Sequence, residues 1–122
     1  KDFTPANVYI KEVIVTQTPI IQHQTSEQVA ILAYIHEVFG KDASKALKVL
    51  SCENKRLRPD AVNINNDSHK SRDIGIFQIN SMWQQVQPKF LLDWKTNILI
   101  AKRIYDDSNS FKMWTCGKRM NI

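Results

Sequence analysis

Between Ala61 and Asn80 the chain changes its hydrophobic period, and that change limits the folds open to it. In AVNINNDSHKSRDIGIFQIN, Val62 and Ile64 alternate, the polar block Asn65, Asn66, Asp67 and Ser68 interrupts, and Ile74, Phe77 and Ile79 resume the run. Alternation broken by turn residues is the pattern of a small antiparallel hairpin or three-stranded sheet. Gly75, inside a strand-like run, marks a bulge or a close approach of a ligand or another backbone.

Helical spacing flanks this insert. Upstream, Thr25 and Gln28 have the spacing of a capping box, and Val29, Leu32, Ile35 and Phe39 keep one face apolar until Gly40 stops the helix. Asp42 is the expected N-cap of a second helix whose stripe is Ala43, Ala46, Leu47 and Leu50, and Pro59 disfavours helix at Arg58. Downstream, Ser81 is expected to cap a short turn around Trp83, and Pro88 interrupts. Asp93 then caps a helix with Trp94, Ile98, Ala101 and Tyr105 on one face, ending near DDSNS. Phe111, Met113 and Trp114 form a last apolar cluster before Cys116 and a basic tail.

The expected class is therefore α+β and mainly α, with a small antiparallel β insert. Residues 1–25 mix short β-branched runs with prolines and polar clusters and read as an extended lead-in or linker, leaving 26–122 as the domain. A length of 122 residues suits one hydrophobic core. No apolar run approaches the roughly 20 residues a membrane-spanning helix needs. The chain begins at Lys1 rather than Met, as expected of a processed product whose signal peptide or anchor lay upstream.

Seventeen basic against twelve acidic residues give a net charge of +5, which favours an anionic partner: nucleic acid, membrane surface or cell-wall polymer. The basic residues are scattered, with no helix-turn-helix, aromatic RNA platform or zinc module beside them, so nucleic acid is not expected. Cys52 and Cys116 belong to no metal-ligand spacing and are either two free thiols or one disulfide; an exported protein would carry the disulfide.

Continuing the stripe of the second helix, the i+3 step from Leu50 lands on Glu53. If the helix persists, this carboxyl leaves the core-facing side, where desolvation raises its pKa as a general acid requires; if the helix frays after Leu50, Glu53 swings into water. With Asp73, Gly75, Gln78 and Asn80 on the hairpin and Trp83 beyond, the chain holds the components for handling a carbohydrate. Carboxyls move protons, amides bind hydroxyls and N-acetyl groups, and an aromatic face receives a sugar ring. Glycosidic cleavage needs a protonated acid at the leaving oxygen and negative or dipolar support at the anomeric carbon.

The stretch CENKRLRPDAVNINNDSHKSRDIGIFQINSMW resembles the lysozyme-like superfamily, especially the lytic transglycosylase domains with their E-S-x-x-x-P-x-A-x-N … G-L-x-Q-I-N-S pattern. The resemblance runs from about Ser26 to Trp114, and LLDWKTNILIAKRI looks like the family's L-L-D-P-x-x-N-I-x-x-A helix. It implies a lysozyme-like fold with the β insert lining a cleft, and Glu53 as catalytic acid and base. Asp73 stands where S-x-D-x-G occurs in animal-type lysozymes, Gln78 and Asn80 match the amide-bearing strand at the cleft floor, and Gly75 the tight backbone before it. Two departures are plain: Asn54 stands where Ser is usual, and FKMWTCG replaces the A-Y-N-x-G block, leaving Tyr105 as a substitute for its tyrosine.

The activity implied is cleavage of the β-1,4 bond between N-acetylmuramic acid and N-acetylglucosamine with 1,6-anhydro product. Hydrolysis using Glu53 and Asp73 is the alternative, and a non-catalytic glycan-binding module on the same scaffold is a third. Peptidoglycan is the expected partner of an exported, monomeric protein, and no metal or organic cofactor is called for.

Overall fold

A computed structural model describes residues 24–83 and 85–122, so the lead-in expected over 1–25 lies outside the described residues save for Gln24 and Thr25. Helix α1 spans Ser26–Phe39 and opens on the expected capping box. The Thr25 Oγ1 accepts the Gln28 N–H at 3.0 Å while the Thr25 N–H donates to Gln28 Oε1 at 2.9 Å. Gly40, at φ +54°, ends it. The buried stripe is Ile31, Ile35 and Phe39, whereas Val29 is 53% exposed. Two residues turn a helix by about 200°, so a face centred on Ile31 sends Val29 outward.

A 3-10 turn, Gly40–Asp42, leads without a break into α2, Ala43–Glu53. Asp42 makes no capping hydrogen bond, because the chain enters α2 already wound and the preceding turn takes up its first N–H groups. Val49 joins Ala43, Ala46 and Leu50 in the core, while Leu47 is only partly buried. The helix does not fray after Leu50; it runs to Glu53.

The β insert is a three-stranded antiparallel sheet: β1 Val62–Ile64, β2 Arg72–Ile74 and β3 Ile79–Asn80, in that spatial order. Its register pairs Asn63 with Asp73 and Asp73 with Asn80. Residues directly opposite share a face, so one polar row crosses all three strands. The other face carries Val62, Ile74 and Ile79, of which Ile74 and Ile79 are buried. The alternation at Val62 and Ile64 does not bury them; Ile64 is 72% exposed, on a three-residue strand at the edge of the sheet.

Two buried asparagines hold this sheet. Asn97, fully enclosed on helix α3 (Trp94–Ser108), donates to the carbonyls of Ile74 and Leu91, each at 2.9 Å, and accepts the Phe77 N–H at 2.8 Å. Asn54, just past α2, donates to the carbonyls of Arg58 and Ile76 at 2.8 and 3.1 Å and accepts the Arg58 N–H at 3.1 Å. Gly75 has φ +77°, and any β-carbon there would strike the Asn97 amide and the Leu91 carbonyl. The close approach expected at Gly75 is therefore made by the protein itself.

Asp93 caps α3 by accepting the Thr96 N–H at 3.0 Å, and Ile98, Ala101, Ile104 and Tyr105 are buried along it. Helix α1 rests on both α2 and α3. Beyond α3, Phe111 and Trp114 enter an aromatic cluster with Phe39, Phe77 and Tyr105. Met113, expected among them, is 68% exposed. The stretch read as a basic tail is a short helix, α4, Thr115–Met120. Gly117 lies so close to the Phe111 carbonyl that no side chain fits, which seats this helix against the aromatic cluster. A disulfide joins Cys52, near the end of α2, to Cys116 in the first turn of α4, with Cα atoms 6.1 Å apart. In the loop-entropy account, closing so long a loop stabilises a fold by roughly 4 kcal/mol.

Candidate functional site

Where the end of α2, the polar row of the sheet and the approach to α4 meet, they enclose a cleft of about 570 Å³. Glu53, Asp73, Gln78, Asn80 and Trp83 all line it. Asn65, Met82, Ile104, Met113, Trp114 and Thr115 complete the walls. A second hollow of about 550 Å³ lies between α1 and the end of α2, lined by leucines with Lys55 and Arg56, and none of the described residues lining it is a carboxylate. The two neighbouring carboxyls, Glu53 and Asp73, lie in the first.

Glu53 is half-buried, with Oε2 accepting the main-chain N–H of Cys116 at 3.0 Å. Burial raises its pKa above the ordinary glutamate value, and the charge of Asp73 adds to the rise. The Cys116 N–H and the Arg119 guanidinium oppose it. The net result is a carboxyl that keeps its proton to higher pH than a free glutamate, with one oxygen tied to the backbone.

Asp73 faces the same cleft from the middle strand. Its Oδ1 accepts from Asn80 Nδ2 at 2.9 Å and its Oδ2 from Asn65 Nδ2 at 3.2 Å. Ser71 Oγ accepts from the same two amides, at 3.1 Å from Asn80 and 3.2 Å from Asn65. Alternate residues of paired strands put these groups side by side, so the sheet aims and solvates one carboxylate with side-chain donors.

The amides expected to grip sugar hydroxyls are largely engaged within the hairpin. Gln78, at φ +51°, donates to the carbonyls of Gly75 and Ala61 at 3.0 and 3.2 Å, and its Oε1 accepts from Asn63 at 2.6 Å. Asn80 accepts the Met82 N–H at 2.9 Å and spends its own amide protons on Asp73 and Ser71. Trp83 is half-buried at the cleft wall, and its enclosed indole N–H has no partner among the described residues.

Neither Gly75 nor Tyr105 lines the cleft. Gly75 belongs to the turn behind it. Tyr105 stacks on Phe111 with ring centroids 4.4 Å apart, and burial together with the neighbouring Asp42 carboxylate pushes its phenol above the usual range.

Among the residues missed, Asn65 had a signal: it continues the period-2 face of Asn63 onto which Asp73 also falls. Met113, Trp114 and Thr115 had none in local sequence, since long-range contacts bring their segment to Glu53: the Cys52–Cys116 disulfide, and the Trp114 indole N–H donated to the Phe77 carbonyl at 2.7 Å. Among the described residues no group of three His, Cys, Asp or Glu side chains is placed to hold a metal ion, and no helix is long and apolar enough to cross a membrane. Comparison with known protein families and with curated proteins finds no match for this chain.

Proposed function

We propose that this chain is a peptidoglycan-cleaving glycosidase of the lysozyme-like superfamily, acting as a lytic transglycosylase on the β-1,4 bond between N-acetylmuramic acid and N-acetylglucosamine. The observation that carries the reading is Glu53: a helix-end carboxyl, half-buried, inclined to hold its proton, in a cleft it shares with a second carboxylate. In the first step protonated Glu53 gives its proton to the glycosidic oxygen, and the bond from that oxygen to the muramyl anomeric carbon breaks. Asp73, steadied by Asn65 and Asn80, supplies negative charge to the oxocarbenium ion that develops. Glu53, now a carboxylate, takes the proton of the muramyl 6-hydroxyl as that oxygen closes on the anomeric carbon. The acid is regenerated and the product is a 1,6-anhydro ring.

Trp83 and the apolar residues Met82 and Met113 at the rim suit the faces of sugar rings. The basic excess suits a polymer whose stem peptides bear carboxylates. The disulfide supports an exported setting.

A second reading, hydrolysis with retention or inversion, is favoured by one feature: Asp73 is held firmly enough by two amides to act on the anomeric carbon itself or on a water beside it. Mass spectrometry of digested sacculi separates the two readings. Anhydro-muropeptides are the expected product, and reducing-end muropeptides as sole product would replace the transglycosylase reading with the hydrolase one. Glu53→Gln is expected to lower the rate by roughly 10²- to 10⁴-fold. A variant that clears cell walls as the parent does would move the acid elsewhere, and a parent that binds peptidoglycan without releasing muropeptides would leave a glycan-binding module.

A further inference from the structure

The Cys52–Cys116 bond lies directly beside the acid: Cys52 precedes Glu53 in sequence, and the residue bonded to Cys52 is the one whose main-chain N–H rests on the Glu53 carboxylate. Arg119, one turn along α4, lays its guanidinium on the same bond, with Nη2 at 3.1 Å from Cys52 Sγ and 3.7 Å from Cys116 Sγ. Helix α4 is only six residues long. A helix this short is marginal alone, so its place depends on what ties it to the rest. The aromatic seat at Gly117 and the Trp114 indole N–H, donated to the Phe77 carbonyl at 2.7 Å, hold its entry, and the covalent tie lies at the acid's side.

We propose that the disulfide-pinned turn from Cys116 to Arg119 is the positioning element of the acid: it holds the Glu53 carboxyl by Oε2 and so orients it in the cleft. This rests on the reading of Glu53 as general acid. The Cys116 N–H occupies Oε2, which leaves Oε1 as the oxygen that carries the proton into the cleft. Among the described residues, two charged groups act on Glu53 with opposite effects, Asp73 from the sheet and Arg119 from α4. Asp73 strengthens the hold on the proton, whereas the N–H and Arg119 weaken it, and burial leaves the net shift upward, the direction a general acid needs. Neither Cys116 nor Arg119 needs to touch substrate for this.

The test follows the pH dependence of the Cys116 amide proton by NMR, together with kcat and KM on purified peptidoglycan. In the parent the amide resonance is expected to shift along the Glu53 titration. In the double variant Cys52→Ser/Cys116→Ser the amide at position 116 is expected to stop tracking Glu53, with kcat down roughly 10- to 100-fold, the range a misplaced catalytic group costs, and KM little changed. Arg119→Gln keeps the disulfide and serves if the double variant fails to fold. Removing the positive charge should raise the Glu53 titration midpoint and move the high-pH limb of the rate profile the same way.

A folded double variant with parental kcat, rate profile and amide tracking overturns the proposal. So does an Arg119→Gln protein whose Glu53 titration is unmoved. Failure of the glycosidase reading looks different: a parent inert on peptidoglycan, while the amide measurement still reports whether the turn holds Glu53.

Discussion

The sheet wall and the C-terminal wall of the cleft each hold one carboxylate, but over different distances along the chain. Asp73 is fixed by amides only seven and eight residues away, through a sheet whose strands are sequence neighbours. Glu53 takes its hydrogen bond from a residue 63 positions downstream. Closing a short loop costs little entropy, so a few side-chain hydrogen bonds suffice for the first arrangement. The second must overcome a long closure, and a disulfide with a buried aromatic seat does so. The comparison teaches that the half of the site built from near neighbours rests on side-chain hydrogen bonds, while the half built from distant segments adds a covalent tie and a buried aromatic seat to its hydrogen bonds.

The sharpest way to break this comparison is to attack the sheet wall from behind. Asn97→Ala orphans the Phe77 N–H and the Ile74 and Leu91 carbonyls in the core, and is expected to cost about 3 kcal/mol in urea unfolding. A loss within about 1 kcal/mol would show that the sheet stands on its own strand pairing.

Asn80→Ala acts on the cleft side. It removes a donor from Asp73 and from Ser71, with an expected stability loss of about 1 kcal/mol and a lower kcat at steady KM. Unchanged kcat would mean that Asp73 needs no aiming by the sheet.

A smaller effect, of opposite sign, is expected at the other wall. Burial raises the Glu53 pKa in the folded protein, so the unfolded chain releases this proton first as pH rises, and stability falls as pH climbs through the folded value. Glu53→Gln removes that loss. Its Tm should exceed the parent's at neutral pH, and the gap should close below about pH 4, where the carboxyl is protonated in both states. A parent whose thermal stability relative to the variant is flat across this range would contradict the burial of Glu53.

The smallest effect tests the helix stripe: Val29→Ser should change stability by no more than about 0.5 kcal/mol, because Val29 points to solvent. A loss of 2 kcal/mol or more in the same unfolding assay would return Val29 to the core.

Much of the frame was legible because its signals are local. The capping box at Thr25 and Gln28, the Asp93 cap and the change of period at Ala61 all depend on residues within a turn or a strand of one another, whereas local spacing left open whether α2 persists to Glu53. The misreadings have a common cause as well. Val29 and Met113 are apolar yet face outward, and Val49 was passed over, because helical spacing allows several overlapping stripes and only packing against a neighbour selects one. Asp42 has the chemistry of a cap, but the preceding 3-10 turn left no cap to fill. Gln78 and Asn80 lie on the expected strand with their amides committed to the hairpin and Asp73, a distinction that depends on register and backbone dihedrals rather than residue type.

The sequence by itself determined the α+β class, the helix and strand order and the candidacy of Glu53 and Asp73, because hydrophobic period, capping chemistry and turn residues act over a few positions. Only the tertiary structure decided that both carboxyls face one cleft, that Gly75 and Tyr105 stand outside it, and that the end of the chain returns to seat an N–H on the acid. Those outcomes rest on contacts between segments dozens of residues apart, whose selection depends on how the whole core closes.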